Sequence, residues 1–290
     1  MTAAAPRAAR AARTWRTARR SLPLERSLVV GILNVTPDSF SDGGRHFEAD
    51  AAVRAGARMR EAGADILDVG GESTRPGASS PDEAEELRRV IPVIARLARE
   101  VGLPVSVDTR RSGVARRALE AGAEIMNDVS GLTHDPAMAA AVAGAGAGVV
   151  LMHMRGEPAT MDALARYDDV AAEVVAELAA RRDDALRAGV PAEAIALDPG
   201  LGFAKNVEHN LGLLYRLDQL VALGHPVMVG PSRKRFLGAV TGRDVGARDA
   251  ATAAACVVAR LGGAVLFRVH DVAAAREALD VADAVLRGTA

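Results

Sequence analysis

The sequence predicts a single (β/α)8 barrel of the TIM type, on three observations. Eight short apolar runs recur along the chain, stretches of helical periodicity separate them, and each run ends at or just before a polar or ionisable residue. Apolar runs without polar alternation read as parallel strands buried on both faces. Strands alternating with helices read as repeated βα units, and eight units close a barrel. Barrel chemistry sits at the C-terminal ends of the strands, which is where the polar residues fall.

The run at 28–33 ends at Asn34, and that at 66–69 leads to Glu72, Thr74 and Arg75. The run at 105–107 ends at Asp108, that at 125–126 at Asn127 and Asp128, and that at 149–152 at His153. The last three are 195–197 ending at Asp198, 227–229 leading to Ser232 and Lys234, and 265–267 ending at Arg268 and His270. Helices are predicted over 49–62, 82–100, 112–121, 136–145, 162–188, 207–222, 248–261 and 272–287. Several open on a capping residue and close at a glycine, such as Gly63, Gly122 and Gly189. Two strand-to-helix connections, 36–48 and 71–80, are long and rich in Gly, Pro, Ser, Thr and Asp, and read as lids over the mouth. The Ala-Gly repeat at 143–148 precedes a strand instead of following one, so it is a turn and not a dinucleotide-binding loop.

Composition narrows the function. Residues 1–26 carry seven Arg against Glu25, a net charge of +6, which leaves −7 for the rest of the chain. This Ala/Arg segment has few large apolar side chains and is predicted to be a disordered tail, with the barrel occupying 27–290. A transit peptide would share that composition, but the disordered reading is preferred. Trp15, the only tryptophan, lies in the tail and would report its docking by fluorescence. The single Cys256 excludes an intrachain disulfide and a cysteine metal site. Aromatics at 3% argue against base-stacking platforms for nucleic acid. No apolar stretch reaches the ~18 residues a membrane span needs.

Seven segments, in order, carry a family resemblance: Asn34-Val-Thr-Pro-Asp-Ser-Phe-Ser-Asp-Gly-Gly44, Gly70-Gly-Glu-Ser-Thr-Arg-Pro-Gly77, Val107-Asp-Thr-Arg110, Asn127-Asp-Val-Ser-Gly131, Asp198-Pro-Gly-Leu-Gly-Phe203, Ser232-Arg-Lys234 and Arg268-Val-His-Asp271. Together they resemble dihydropteroate synthase from about residue 28 to the C-terminus. The resemblance implies condensation of 6-hydroxymethyl-7,8-dihydropterin diphosphate with p-aminobenzoate, a Mg²⁺ requirement, a homodimer and a cytoplasmic location. It implies pterin contacts at Asp108, Asn127 and Asp198, and a Lys234 that donates to both substrates. Asp42, Thr74 and Arg75, with Phe40, Ser73 and Pro76, would close over the diphosphate and shape the aryl pocket; substrate contacts are also expected at Phe203, Val269 and His270.

Elementary chemistry supports these assignments. Carboxylates accept the paired N–H donors of a pterin edge, and an amide meets both donors and acceptors. The chain contains 34 Arg but only Lys205 and Lys234, so a lysine kept at 234 points to a need for a compact ammonium. Lys205 is expected to cap or rim the site. Period-two alternation turns Arg268 and His270 to one side, where they would grip a diphosphate. Asn34 suits Mg²⁺, which takes few protein ligands besides water and phosphate oxygen. The benzoate carboxylate is expected at the start of the helix after 227–229, near Ser232–Arg235. Arg235 is either an anion contact or solvent-facing, and His153 either borders the pterin or is a packed polar group. No Ser-His-Asp or Cys-His arrangement is evident, and no His-x-His marks an amidohydrolase barrel. Two other readings are a pterin-binding paralogue without catalysis and a barrel methyltransferase serving a corrinoid partner; the 72–77 loop and the Ser-Arg-Lys segment argue against the latter.

Overall fold

The computed structural model describes residues 12–35, 44–71, 81–157 and 159–288, without the side chains of 44–48. Eight parallel strands form the barrel: β3 (Leu28–Asn34), β4 (Ile66–Gly70), β5 (Val105–Asp108), β6 (Ile125–Asp128), β7 (Gly148–Met152), β8 (Ile195–Asp198), β9 (Met228–Val229) and β10 (Leu266–Val269). Their order around the sheet is β8-β7-β6-β5-β4-β3-β10-β9. The seam between β8 and β9 is narrow, closed by a parallel bridge between Leu197 and Val227 and by the Leu197 N–H donating to the Pro226 carbonyl at 2.9 Å.

Strand side chains sort into two cores. Outward ones, including Val29, Leu67, Val69, Val107, Leu151, Leu197 and Phe267, pack against the helices; inward ones, including Leu28, Val30, Ile66, Ile125, Val150, Ala196 and Met228, fill the barrel's lower half. Burial on both faces is why the strands read as unbroken apolar runs. The helix spanning Glu83–Glu100 shows how the outer layer is specified. Asp82 accepts the Glu85 N–H at 2.8 Å, three glutamates occupy the first turn, and Val90, Val93, Ile94 and Leu97 form one buried stripe.

The expected tail requires correction. Of residues 1–26, the segment 12–26 is folded, and 1–11 lie outside the described residues. Strands β1 (Thr14–Arg16) and β2 (Ser21–Pro23) pair antiparallel beneath the barrel. Trp15 is 1% exposed, inserted among the inward side chains, and its Nε1–H donates to the Ala194 carbonyl at 2.9 Å. Thr17 and Arg20 both bind the buried Glu124 carboxylate, at 2.7 and 2.6 Å. One large aromatic and one ion pair to a buried carboxylate thus anchor a segment whose average composition is polar.

Helix boundaries shift where caps intervene. The predicted 162–188 helix divides into a short 3-10 turn, Met161–Leu164, and a helix, Val170–Arg187, capped by Asp169. The predicted 207–222 helix breaks at Arg216, and the helix expected to start near Ser232–Arg235 is a short one, Arg235–Thr241, separate from Asp249–Leu261. Among the described residues, no helix is long and apolar enough to cross a membrane.

Candidate active site

Register alone brings four positions to one level of the barrel mouth. Asn34 pairs with Gly70, Gly70 with Asp108, and Asp108 with Asn127. Across the mouth, Met152 pairs with Asp198. A Cβ on Gly70 would lie in ordinary contact, 3.8 Å, with both Asn34 Oδ1 and Asp108 Oδ2, so these two oxygens flank the same point of the mouth. They are hard oxygen donors of the kind Mg²⁺ accepts. Among the described residues no cluster of three or more His, Cys, Asp or Glu is placed to hold a metal.

Arg268 crosses the mouth from β10. Its Nε donates to Asp68 Oδ2 at 2.6 Å and its Nη2 to Asp108 Oδ2 at 2.7 Å. Asn127 Nδ2 donates to the same Asp68 oxygen at 3.1 Å. Burial pushes the Asp108 carboxyl up to about 7, against the opposing pull of Arg268. Burial disfavours the Arg268 charge, but Asp68 and Asp108 outweigh it and raise the guanidinium above its ordinary range.

The opposite wall is built by two loops. Asp198 Oδ1 accepts the Gly200 N–H at 2.7 Å, and burial raises the carboxyl against the nearby charge of Lys234. Gly200 has φ +67°, and a Cβ there would fall 1.9 Å from the His153 carbonyl, so only glycine fits this corner. Lys234 Nζ donates to the Leu201 carbonyl and lies 4.8 Å from the centre of the Phe203 ring. Burial draws its pKa down to about 8, against Asp198, which favours the ammonium. Arg233, at φ +56°, holds this loop down: its N–H donates to Thr252 Oγ1 at 3.1 Å and its guanidinium to Asp249 at 2.8 Å. Phe203 lies against an apolar wall of Val129, Met152, Met154 and Met161. Ser232 Oγ and His270 Nδ1 are 2.8 Å apart at the rim.

Asn34, Asp108, Asn127, Asp198, Phe203, Lys234, Arg268 and His270 therefore share the C-terminal end of the barrel. Val269 does not face it: its side chain is fully buried in the layer between strands and helices, as alternation on β10 requires. Phe40, Asp42, Ser73, Thr74, Arg75 and Pro76 lie outside the described residues. Lys205 is not at the rim but 4% exposed, with Nζ 2.9 Å from both His153 Nδ1 and the Phe203 carbonyl. His153 Nε2 meets Glu177 at 3.0 Å, and burial lowers the imidazole to about 4, which makes it a packed neutral group. Arg235 turns outward to an exposed ion pair with Asp162 at 3.0 Å. The helix it begins, Arg235–Thr241, has Lys234 as its N-cap, with no side-chain hydrogen bond to its first turn. Sequence reasoning missed Asp68, whose one signal was a charged residue inside an apolar run.

The pterin-binding enzyme family matches residues 30–270 of the chain. A dihydropteroate synthase of Mycobacterium leprae is 51% identical over 265 residues, which cover 89% of this chain and 93% of that protein. This chain belongs to the dihydropteroate synthase family of pterin-binding enzymes. Among solved structures, the Xanthomonas albilineans dihydropteroate synthase with 4-aminobenzoic acid superposes with a TM-score of 0.88 at 49% identity, covering 94% of this chain and 98% of that one. The same organism's enzyme in complex with 7,8-dihydropteroate gives a TM-score of 0.85 at 47% identity, over 94% and 98% of the two chains. Family membership fits a mouth that presents amide, carboxylate, ammonium and guanidinium groups together.

Proposed function

We propose that this chain condenses 6-hydroxymethyl-7,8-dihydropterin diphosphate with p-aminobenzoate, giving 7,8-dihydropteroate and diphosphate in folate biosynthesis. The observation that carries this reading is the convergence of Asp108, Asn127 and Asp198 with Lys234 and Arg268 in one barrel mouth. Asp198 spends one oxygen on Gly200 and keeps the other for the N–H donors of the pterin edge. Asn127 commits one N–H to Asp68, which leaves its second N–H and its carbonyl for the ring. Lys234 donates to the pterin carbonyl, and the Phe203 ring beside it offers a face for the aryl substrate.

The bond between the methylene carbon and the diphosphate oxygen breaks as the electron-rich dihydropterin stabilises positive charge on carbon. The aniline nitrogen then bonds to that carbon and loses its proton to the medium. Neither a protein nucleophile nor a strong general base is required. Arg268 has no protein partner at Nη1 among the described residues, and with His270 it receives the departing anion. In this reading Asp42, Thr74 and Arg75 act on the diphosphate as polar and charged partners. Mg²⁺, when bound, would neutralise diphosphate charge, and Asn34 would hold it through its amide oxygen.

The protein is cytoplasmic and homodimeric in this reading. Support for the dimer is an apolar outer face on two adjacent helices: Val258 and Leu261 on Asp249–Leu261, and Val281 and Val285 on Val272–Arg287, are each more than half exposed. The test is incubation of purified protein with pterin diphosphate, p-aminobenzoate and Mg²⁺, measuring diphosphate and dihydropteroate together. Stoichiometric release of both is expected. Pterin binding without turnover would mean a catalytically silent pterin binder and overturn the proposal.

A further inference from the structure

Asp68 is 1% exposed, sits in the middle of β4, and belongs to no surface that a substrate reaches directly. One oxygen does two jobs, accepting from Arg268 Nε at 2.6 Å and from Asn127 Nδ2 at 3.1 Å. Its other oxygen, Oδ1, is buried with no hydrogen-bond partner. Beside it lies a partly open space of about 10 Å³, lined mostly by apolar side chains with Trp15 among them, whose polar residues are Asp68, Ser106 and Asn127. An unpaired buried carboxylate oxygen costs more than a neutral hydrogen bond returns. A space of ~10–15 Å³ is enough for one water where polar groups converge on it, as the unpaired Asp68 oxygen and Ser106 do here.

We propose that Asp68 is a positioning residue of the pterin pocket: it fixes the sense of the Asn127 amide and the tilt of the Arg268 guanidinium, and holds one buried water with Ser106 beneath them. This rests on the pterin reading above. An asparagine amide can present either end to a ligand. With Nδ2 tied to a carboxylate, the Asn127 carbonyl is turned toward the ring donors, and the flipped orientation would set oxygen against oxygen. Arg268 is likewise held by two carboxylates on adjacent strands, so its plane is set before substrate arrives. Specificity for the pterin edge is thus preorganised one layer below the residues that touch it.

The experiment measures the dissociation constant of 6-hydroxymethyl-7,8-dihydropterin, which lacks the diphosphate, together with the KM for p-aminobenzoate. Wild-type binding establishes the pterin site; its failure would remove the underlying reading, not the positioning role alone. Asp68→Leu is expected to weaken pterin binding about tenfold to a hundredfold, the worth of a charge-assisted hydrogen bond, with an unchanged KM for p-aminobenzoate. Asp68→Asn keeps an acceptor and is expected to stay within about threefold of wild type. Asp68→Ser removes the acceptor shared by Arg268 and Asn127 while leaving a small polar side chain, and it keeps the test open if Asp68→Leu does not fold; it is expected to weaken pterin binding about tenfold or more. Binding by folded Asp68→Leu or Asp68→Ser within about threefold of wild type would overturn the proposal.

Discussion

Replacing Trp15 by alanine tests whether the N-terminal hairpin is part of the barrel or an appendage. The indole is 1% exposed and packs on the inward side chains of several strands, and its N–H bonds the Ala194 carbonyl at 2.9 Å. Truncating a buried tryptophan costs about 3–5 kcal/mol through lost burial and the cavity left behind. The lost hydrogen bond adds about 1 kcal/mol, and Trp15→Phe isolates that share. For a chain of this size, such a loss lowers the melting temperature by roughly 5–10 °C. Urea unfolding followed by circular dichroism is the assay, because the substitution removes the only tryptophan. In the wild type, that tryptophan's fluorescence should be shielded from quencher until the cooperative transition. Unfolding of Trp15→Ala within about 0.5 kcal/mol of wild type, or quenching that precedes the transition, would refute the claim that the hairpin plugs the barrel.

Other consequences concern the mouth. Asp198→Ala should weaken pterin binding about a hundredfold while leaving the KM for p-aminobenzoate within a few-fold, measured by calorimetry and steady-state kinetics. An unchanged pterin dissociation constant would contradict the assignment. Lys234 titrates near 8, so pterin affinity should fall as pH rises through about 8 and the ammonium is lost. The sign for stability is opposite: the unfolded chain keeps this proton up to about 10.5, so between about 8 and 10.5 the contribution of Lys234 to stability rises with pH. In Lys234→Arg the alkaline limb of binding should vanish, because guanidinium stays charged, and its persistence at the same pH would assign it elsewhere. Val258→Glu with Val285→Glu should convert a dimer to a monomer in light scattering, and an unaffected dimer would exclude this helix face.

Much of the molecule was legible because the physics is local and periodic. Strands buried on both faces must be apolar throughout, so 28–33 and 149–152 declare themselves, and closure places Asp108, Asn127 and Asp198 at one end. Illegible features depended on single contacts. Nothing in an Ala/Arg segment announces that Trp15 will plug a barrel, since one indole decides the outcome against the average composition. Val269 shares a motif with Arg268 and His270, yet alternation turns its side chain away. Lys205 looks like any loop lysine until Gly200 and Ala204, at φ +67° and +49°, fold its stem beneath His153. Asp68 hides as one polar residue in an apolar run, and its partners, Arg268 and Asn127, come from distant strands that only the closed barrel brings to it.

The claim on which the account depends is that one heterocycle sits among side chains delivered by five separate strands or strand-end loops. A crystal structure with the pterin diphosphate bound tests it directly. The account predicts the pterin edge within hydrogen-bonding distance of Asn127, Asp108 and the free oxygen of Asp198, with Lys234 on the ring carbonyl and the diphosphate toward Arg268 and His270. A pterin bound anywhere else, or bound in this mouth without contact to Asn127 and Asp198, would contradict it.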